Sequence, residues 1–336
     1  MSDARITGSG TASATATASR RGFVEGLLAN RLIVLIVLLA VLCVAISIGS
    51  SNFYSVENIV SILRQSSMVL IVAIGMTLLL ISGEVDLSVG ASMAFTGAVA
   101  MSVMNATSSL LLGILAGLAF AGGVGLFNGV VVTFLRVNSL IATIATLMIL
   151  QGGVFIYTRE AVQNHHQIPT FPELGAGYVL GLPVPVVVAA VCFIVAWVAL
   201  AKTTFGRRLF AVGGNPKAAR LSGLRATRLK IAAFVITGLL VGVTGLILAS
   251  LMNAGQPTAG RGFELIVVAS VILGGTSLYG GEGTLLGTFL GVLILKVIDN
   301  AIIILGLNQD LQIVVPGVVI IIAVYLDQVR KKRHAT

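Results

Sequence analysis

Long apolar stretches, each close to the length of a membrane-spanning helix, recur along the whole chain. A helix needs roughly 20 apolar residues to cross the hydrocarbon core of a bilayer. Ten stretches meet or approach that length, at 32–48, 59–82, 86–104, 110–135, 139–157, 178–201, 231–251, 263–279, 284–305 and 311–327. Only 10% of the residues are charged, whereas a soluble domain carries about 25%, so lipid must cover most of the surface. The sequence therefore predicts an all-α polytopic membrane protein with about ten transmembrane helices. Glycines interrupt the eighth and ninth stretches, which could be broken or re-entrant.

The basic residues predict how the chain is oriented in the membrane. Eight of the 21 Lys and Arg residues fall between Lys202 and Lys230, with no Asp or Glu among them. Basic loops stay on the cytoplasmic side, so we expect this segment, Arg136 and Arg330–Arg333 inside. The segment 158–177, with its two adjacent histidines, is then outside, and both termini are cytoplasmic.

One domain accounts for nearly the whole chain. Residues 7–19 are only Ser, Thr, Ala and Gly, so 1–28 are predicted to be a disordered cytoplasmic tail. A single transmembrane domain then covers 29–328, with the cytoplasmic loop 202–230 inside it, and 329–336 form a basic cytoplasmic tail. The net charge of +9 comes largely from these stretches, which favours anionic lipid rather than nucleic acid as a neighbour.

The residue patterns of enzymes are missing from the sequence. No Gly-x-x-x-x-Gly-Lys-Ser/Thr loop is present to cradle a nucleotide. Cys43 and Cys192 lie in apolar stretches and are expected to be unpaired buried thiols, and the three histidines show no metal-ligand spacing. We therefore expect no catalytic residues, no cofactor and no metal.

Within the basic loop, Gly213–Gly223 has the sequence of a short helix with a cap at each end. Asn215 suits the N-cap and Pro216 the first helical position, and Gly223 suits the left-handed residue after the last turn. The helix between them contains Lys217, Ala218, Ala219, Arg220, Leu221 and Ser222. Two turns are not stable alone in water, so this helix must pack on neighbouring helix ends or in a partner's groove. We expect the small face at Ala218 and Ala219 to make that contact.

A second motif, GEVDLSVG at 83–90, places two carboxylates, Glu84 and Asp86, between apolar stretches. Charge at membrane depth is costly unless it is paired or hydrated. The motif is either a proton or substrate site, or a tight turn marked by Gly83, Asp86 and Gly90 in which Asp86 caps the next helix. It also matches Gly274–Gly281 at three positions in eight, which indicates a faint internal repeat.

Small residues four apart recur in the apolar stretches and favour close helix packing within one subunit, with a dimer face as the alternative. They are Gly113 and Gly117, Gly125 and Gly129, Gly238 and Gly242, and Gly283, Gly287 and Gly291. In the loop 256–264, we expect Arg261 and Glu264 to pair at a helix start.

Polar residues inside the second to fifth stretches are hypotheses for a translocation path. They are Ser92, Thr96, Asn128, Thr143 and Gln151. Hydrogen bonding between helices explains such residues equally well.

Three motifs in this order and spacing resemble the permease subunit of ribose-type monosaccharide ABC importers. They are GEVDLSVG at 83–90, FGRRLFAVGGNPKAARLSG at 205–223, and AGQPTAGRGFEL with VILGGTSLYGGEGTLLGT at 254–288. The resemblance covers roughly residues 30–328 of the sequence.

This resemblance implies a bacterial inner-membrane sugar importer with several partners. They are a second permease copy, usually identical, an ABC ATPase with two fused nucleotide-binding domains, and a periplasmic or lipid-anchored sugar-binding protein. It also implies a fold of the vitamin-B12-importer permease type, and it assigns Asn215–Gly223 to the coupling segment that contacts the ATPase.

Ile266 stands where ribose-type members commonly have Asp, and Glu84 where they commonly have an uncharged residue. The sugar is therefore left open among ribose, xylose, arabinose, fructose, galactofuranose and the sugar-like signal autoinducer-2.

Two other functions stay open at this stage. A proton-coupled sugar symporter would use Glu84 and Asp86 as a proton relay. A branched-chain amino-acid ABC permease would need charged or helix-end groups in its path to hold a zwitterion, and the sequence does not show them.

Overall fold

The computed structural model describes residues 31–164 and 168–335, and most of these residues are helical. The helices are α1 (Arg31–Gly49), α2 (Val56–Ile81), α3 (Val89–Thr107), α4 (Leu110–Thr133), α5 (Ser139–Thr158), α6 (Glu173–Ala176), α7 (Val184–Lys202), α8 (Thr204–Gly214), α9 (Pro216–Leu221), α10 (Ala226–Met252), α11 (Phe263–Leu273), α12 (Leu285–Ile304) and α13 (Leu311–Ala335). A 3₁₀ turn, Ser51–Tyr54, joins α1 to α2. The predicted tail 1–28 and the adjacent histidines, His165 and His166, lie outside the described residues.

Eight helices in the described part of the chain are long and apolar enough to cross a membrane: α1 to α5, α7, α10 and α12. The other two predicted stretches form α11, which has 11 residues, and α13, whose apolar part is Leu311–Ile322. The prediction of an all-α polytopic membrane protein is confirmed. The stretch 263–279 is broken after Leu273, where Gly275 adopts a φ of 101° that suits glycine. The stretch 284–305, in contrast, forms one continuous helix.

Four short strands lie in two segments between the long helices. β1 (Val162–Gln163) pairs antiparallel with β4 (Ala254–Gly255), which follows α10. β2 (Tyr178–Val179) and β3 (Leu182–Pro183) form a small hairpin. The sixth apolar stretch was predicted to start at 178, but its helix begins at Val184 because the hairpin occupies the residues before it.

The interior is built around α2, α3 and α10, while the surrounding helices present apolar side chains outward. Every residue of α2 from Val69 to Ile81 is buried. In contrast, Ile48 of α1 and Ile156 of α5 are each 84% exposed. Only a lipid environment makes such an apolar outer surface favourable.

Glycines set the distance between α4 and α10, the helix pair with the largest contact. A Cβ on Gly238 would lie 3.1 Å from the Gly125 Cα atom, and one on Gly129 would lie 3.1 Å from the Ile231 Cα atom. Gly291 of α12 packs in the same way against the Ser270 carbonyl of α11. The prediction of close packing within one subunit is confirmed for these positions.

Candidate functional site

The helix predicted in the basic loop is α9, and it forms with both expected caps. Asn215 Oδ1 accepts a hydrogen bond of 3.0 Å from Ala218 N, and Pro216 occupies the first helical position. At the other end Gly223 has a φ of 78°. The Gly223 N–H donates to Arg220 O, and the following N–H donates to the carbonyl of the residue before Arg220. These two bonds form a Schellman motif, which satisfies carbonyls at the end of the helix.

Most side chains of α9 face away from the rest of the chain. Leu221 is 90% exposed, and Lys217, Ala218 and Arg220 are exposed as well. Ala219, in contrast, is only 5% exposed, and its helix packs on α8 and α10. The expectation that Ala218 and Ala219 together face a partner is therefore wrong for Ala219. Neighbouring residues point about 100° apart around a helix, so the two alanines cannot share one narrow face.

Three backbone segments touch just before α9, at what we call the glycine junction (Ile81–Gly83, Gly213–Gly214 and Gly280–Gly281). Gly281 N donates a 2.9 Å hydrogen bond to Ile81 O. A Cβ on Gly280 would lie 2.8 Å from Gly213 O and 3.1 Å from Gly83 Cα. The junction thus joins the turn after α2, the turn after α11 and the end of α8. The two turns of the faint internal repeat meet here.

An ion pair connects the turn after α2 to the chain on the other side of α9. Lys230 Nζ lies 2.5 Å from Glu84 Oε1, and the two side chains are 21% and 11% exposed. Lys230 is in the first turns of α10. The turn after α2 is therefore linked to the chain both before and after α9.

Polar side chains from α4 and α5 surround the turn 82–88. Asp86 Oδ1 accepts from Ser88 N at 2.8 Å and from Ser88 Oγ at 2.6 Å. Asn128 Nδ2 donates to Asp86 Oδ2 at 3.3 Å and to Ser88 Oγ at 2.9 Å, and Thr146 Oγ1 donates to Asn128 Oδ1 at 2.7 Å. Burial raises the pKa of Asp86, and the bonds from Ser88 and Asn128 oppose that rise. The N-cap residue of α3 is Ser88, and Asp86 bonds Ser88 rather than any N–H group of the helix. The expectation that Asp86 caps α3 is therefore wrong, and Asp86 instead holds the turn that precedes the helix.

Two backbone amides of the same turn donate to hydroxyls of α5. Val85 N donates to Ser139 Oγ at 3.3 Å, and Leu87 N donates to Thr143 Oγ1 at 3.0 Å. Two of the predicted path residues, Asn128 and Thr143, therefore form hydrogen bonds with this turn. Both are fully buried.

The side chains of the other predicted path residues form no hydrogen bond to the turn among the described residues, although Ser92 N donates to Ser88 O at 2.9 Å. Ser92 and Thr96 are buried one helical turn apart on α3, where Thr96 Oγ1 donates to Ser92 O at 2.7 Å. Ser92 Oγ has no hydrogen-bond partner among the described residues. Gln151 is half-buried on α5, about 12 Å of helix rise beyond Thr143. Gly90 of the turn motif packs against Gly260 and Glu264.

Arg261 and Glu264 do not pair, so that prediction is wrong. The Arg261 guanidinium lies over the Phe155 ring, 5.9 Å from its centroid. Glu264 turns instead toward Gly90, and its buried Oε2 atom has no hydrogen-bond partner among the described residues.

An open cavity with a mixed polar and apolar lining lies at the end of α2 that is opposite to the glycine junction. Its volume is about 540 Å³, and its lining includes Glu57, Ser61, Arg64, Gln65 and Tyr178. None of these residues was predicted from the sequence to belong to a site. Their spacing contained a signal, because positions 57, 61, 64 and 65 recur on one face of a helix. Three of these four positions lie inside the predicted stretch 59–82.

A buried ion pair in α12 was also missed. Lys296 Nζ lies 2.8 Å from Asp299 Oδ2, with side chains 10% and 8% exposed. The adjacent Asn300 exchanges hydrogen bonds of 2.6 and 3.1 Å with Asn58 of α2. These contacts tie α12 to the start of α2, and they show that charged groups do lie inside an apolar stretch.

The chain is similar over most of its length to permease components of transport systems. The family model described as "Branched-chain amino acid transport system / permease component" matches residues 58–324. The ribose import permease protein RbsC of Bacillus subtilis (strain 168) is 40% identical over 295 residues, which cover 88% of this chain and 91% of that protein.

Further relatives come from Escherichia coli (strain K12). Its ribose import permease protein RbsC is 39% identical over 315 residues, covering 92% of this chain and 97% of that protein. Its L-arabinose transport system permease protein AraH is 38% identical over 303 residues, covering 90% and 92%. No solved structure matches significantly, so the likeness to the vitamin-B12-importer permease stays a prediction.

Proposed function

We propose that this chain, which belongs to the family of the transport-system permeases described above, is the transmembrane subunit of an ATP-driven ABC importer for a monosaccharide. The description of the family model names amino-acid transport. The ribose and arabinose permeases, however, are 38–40% identical to this chain over 88–92% of its length. That similarity supports a sugar such as ribose or arabinose as the substrate.

The observation that carries this proposal is the outward face of α9. A helix of two turns is held by caps at both ends, and it exposes Leu221 beside Lys217 and Arg220. Two helical turns are not stable alone in water, and the exposed side chains of Leu221, Lys217 and Arg220 offer a partner's groove an apolar group beside two charged ones. We assign this face to the contact with the ATPase, with Asn215 and Gly223 as the caps that fix it.

Force on α9 has a physical route to the membrane helices. The chain before α9 contacts the turn after α2 and the turn after α11 at the glycine junction. The chain after α9 contacts the turn after α2 through Lys230 and Glu84. Backbone contacts without intervening side chains transmit displacement with little slack. We therefore propose that closure of the ATPase moves these turns and reorients α2, α3 and α12 for alternating access.

We infer the other subunits of the importer from the family to which the chain belongs. Two permease copies enclose the path, an ATPase with two fused nucleotide-binding domains drives it, and an extracytoplasmic binding protein delivers the sugar. The basic loops support cytoplasmic termini in the inner membrane. Ser92, Thr96 and Gln151 stay hypotheses for the path, whereas the bonds of Asn128 and Thr143 favour a role in holding the turn.

The contacts of the two carboxylates favour this proposal over a proton-coupled symporter. Glu84 pairs with Lys230, and Asp86 accepts from Ser88 and Asn128. A relay carboxylate must exchange its proton during transport, whereas these groups are engaged in binding the turn.

The test is uptake by cells of the source organism in which this gene is deleted and then restored. We expect the deletion to abolish uptake of labelled ribose or arabinose and to leave leucine uptake unchanged. Uptake should stop on ATP depletion and persist with a protonophore when ATP is maintained. Loss of leucine uptake alone would establish the amino-acid function, and collapse by the protonophore with ATP intact would establish the symporter.

A further inference from the structure

The cavity at the far end of α2 combines an unusual set of groups for an apolar helix. Glu57, Ser61, Arg64 and Gln65 line it from one face of the helix, and Tyr178 lines it from the β2–β3 hairpin. The rest of the lining is apolar: Val56, Val60, Met68 and Leu251. Its volume of about 540 Å³ lies within the usual range of small-molecule sites, roughly 300–1,000 Å³. Polar and charged groups on a membrane helix are costly, and they are retained mainly where they bind something.

The polar side chains of this cavity are held in place by neighbouring groups. Arg64 donates to Ala176 O at 3.2 Å, and its guanidinium lies 5.5 Å from the centroid of the Tyr178 ring. Gln65 Nε2 donates to Ser61 Oγ at 3.1 Å. The positions of these donors are therefore set before any ligand binds.

One donor of Arg64 lacks a protein partner. Arg64 Nε is buried, and it has no hydrogen-bond partner among the described residues. A buried donor without a partner costs free energy in the empty protein. Because Arg64 Nε is inaccessible to solvent, it does not face the open cavity, and the outer nitrogens of the guanidinium are the donors that a ligand there could reach.

The arrangement fits a neutral polyol better than an amino acid. Glu57 and Arg64 are seven residues apart on the helix, about 10 Å of rise, whereas an α-amino acid carries both charges on one carbon atom. A sugar presents hydroxyls that donate and accept around a ring with apolar faces. Ser61 and Gln65 can pair with such hydroxyls, and the Tyr178 ring offers an apolar surface.

We propose that this cavity is an outer subsite of the permease, which receives the monosaccharide before it enters the membrane path. Arg64 and Gln65 donate hydrogen bonds to sugar hydroxyls there. The proposal rests on the proposed function, because it takes the substrate class from it. It adds the residues that make the first contact with the sugar, on the face of the protein away from the ATPase.

Uptake kinetics of two cavity variants test the subsite. Arg64→Ala should lower uptake at sub-saturating sugar about tenfold, as expected for the loss of a charged hydrogen-bond donor, and Gln65→Ala should lower it about threefold. Ile59→Ala is the matched control, because Ile59 is on the same helix, is 41% exposed and does not line the cavity. Membrane abundance and co-purification of the ATPase should stay normal in all three variants.

A second test asks whether sugar protects a cysteine in the cavity from labelling. Protection requires that sugar binds there, so it would not be seen if these residues had only a structural role. Ser61→Cys in a background without Cys43 and Cys192 should react with a membrane-impermeant maleimide added outside. A transported pentose should slow that reaction, and leucine should not. Equal reaction rates with and without the pentose, or Arg64 and Gln65 variants within twofold of wild type, would overturn the subsite. Failure of the proposed function would be seen separately, as wild-type cells that import no monosaccharide, and it would overturn the ligand class as well.

Discussion

A single glycine, Gly213, decides whether three backbone segments can meet beside α9. A Cβ at this position would overlap the carbonyl oxygen of Ile81, which also accepts the hydrogen bond from Gly281 N. Backbone atoms cannot move aside as a flexible side chain can, so no side chain is tolerated here without separating the turns. The restriction comes from tertiary contact, because Gly213 is helical and its backbone would accept alanine.

We predict that Gly213→Ala destabilises the permease and Gly214→Ala does not. Overpacking a close contact costs about 1–3 kcal/mol, so Gly213→Ala should lower the melting temperature in detergent and the amount of protein in the membrane. A Cβ on Gly214 would lie 3.8 Å from Gly281 Cα, an ordinary contact, which makes this neighbour the control. Equal melting temperatures for the two variants would show that the junction is not tightly packed.

A second prediction for a single residue concerns Asp86. Asp86→Asn keeps an oxygen for the Ser88 bonds, but it turns an amide donor toward Asn128 Nδ2, so we expect a loss of about 1 kcal/mol in stability. Asp86→Ala removes all three bonds and should cost more. The pH profile of uptake should be unchanged in the Asn variant, as the turn interpretation requires. A stable and abundant Asn variant without transport would instead establish a proton-relay role.

At the scale of elements, α9 is the part of the site that the sequence predicts best, because caps act over a few neighbouring residues. Asn215, Pro216 and Gly223 each have a local conformational preference, and all three preferences agree. Which face of the helix is covered depends on α8 and α10, so the sequence could not show that Ala219 is buried and Leu221 exposed. The same limit explains the cavity beside Arg64, because its other wall is formed by a distant hairpin.

Substitutions on α9 should separate partner binding from folding. Leu221→Asp and Ala218→Arg change exposed side chains, so we expect normal membrane abundance but loss of ATPase co-purification and of uptake. Ala219→Arg should reduce abundance instead, because it forces a long charged side chain into a buried position. Measuring abundance and ATPase retention together distinguishes these outcomes. Retention of the ATPase by Leu221→Asp would refute the assignment of this face.

For the whole molecule, composition and apolar stretches were sufficient to predict the fold class, because lipid as solvent leaves few alternatives. The number of full spans was harder to predict. The stretch at 263–279 has the length of a span, but α11 has 11 residues and ends where Gly274 and Gly275 turn. The pair Lys296–Asp299 was overlooked because two opposite charges three residues apart barely alter the apolar character of α12.

The orientation of the molecule gives the last prediction, and it follows from the continuity of α2. This helix of 26 residues, about 39 Å long, has the cavity beside Arg64 at one end and the glycine junction at the other. The basic loop that contains α9 lies at the junction end, and basic loops stay in the cytoplasm. The cavity and the β2–β3 hairpin must then face outward.

Single cysteines at Leu180 and Lys217, in a background where Cys43 and Cys192 are alanine, test this orientation. Leu180, 99% exposed in the hairpin, should react with an impermeant maleimide in intact cells. Lys217→Cys on α9 should react only after the membrane is permeabilised, and the cysteine-free protein serves as the control. Reaction of both cysteines from outside would contradict the orientation. It would also place α9 outside the cell, where no cytoplasmic ATPase could bind it. The labelling pattern therefore tests the orientation and the assignment of α9 to the ATPase contact together.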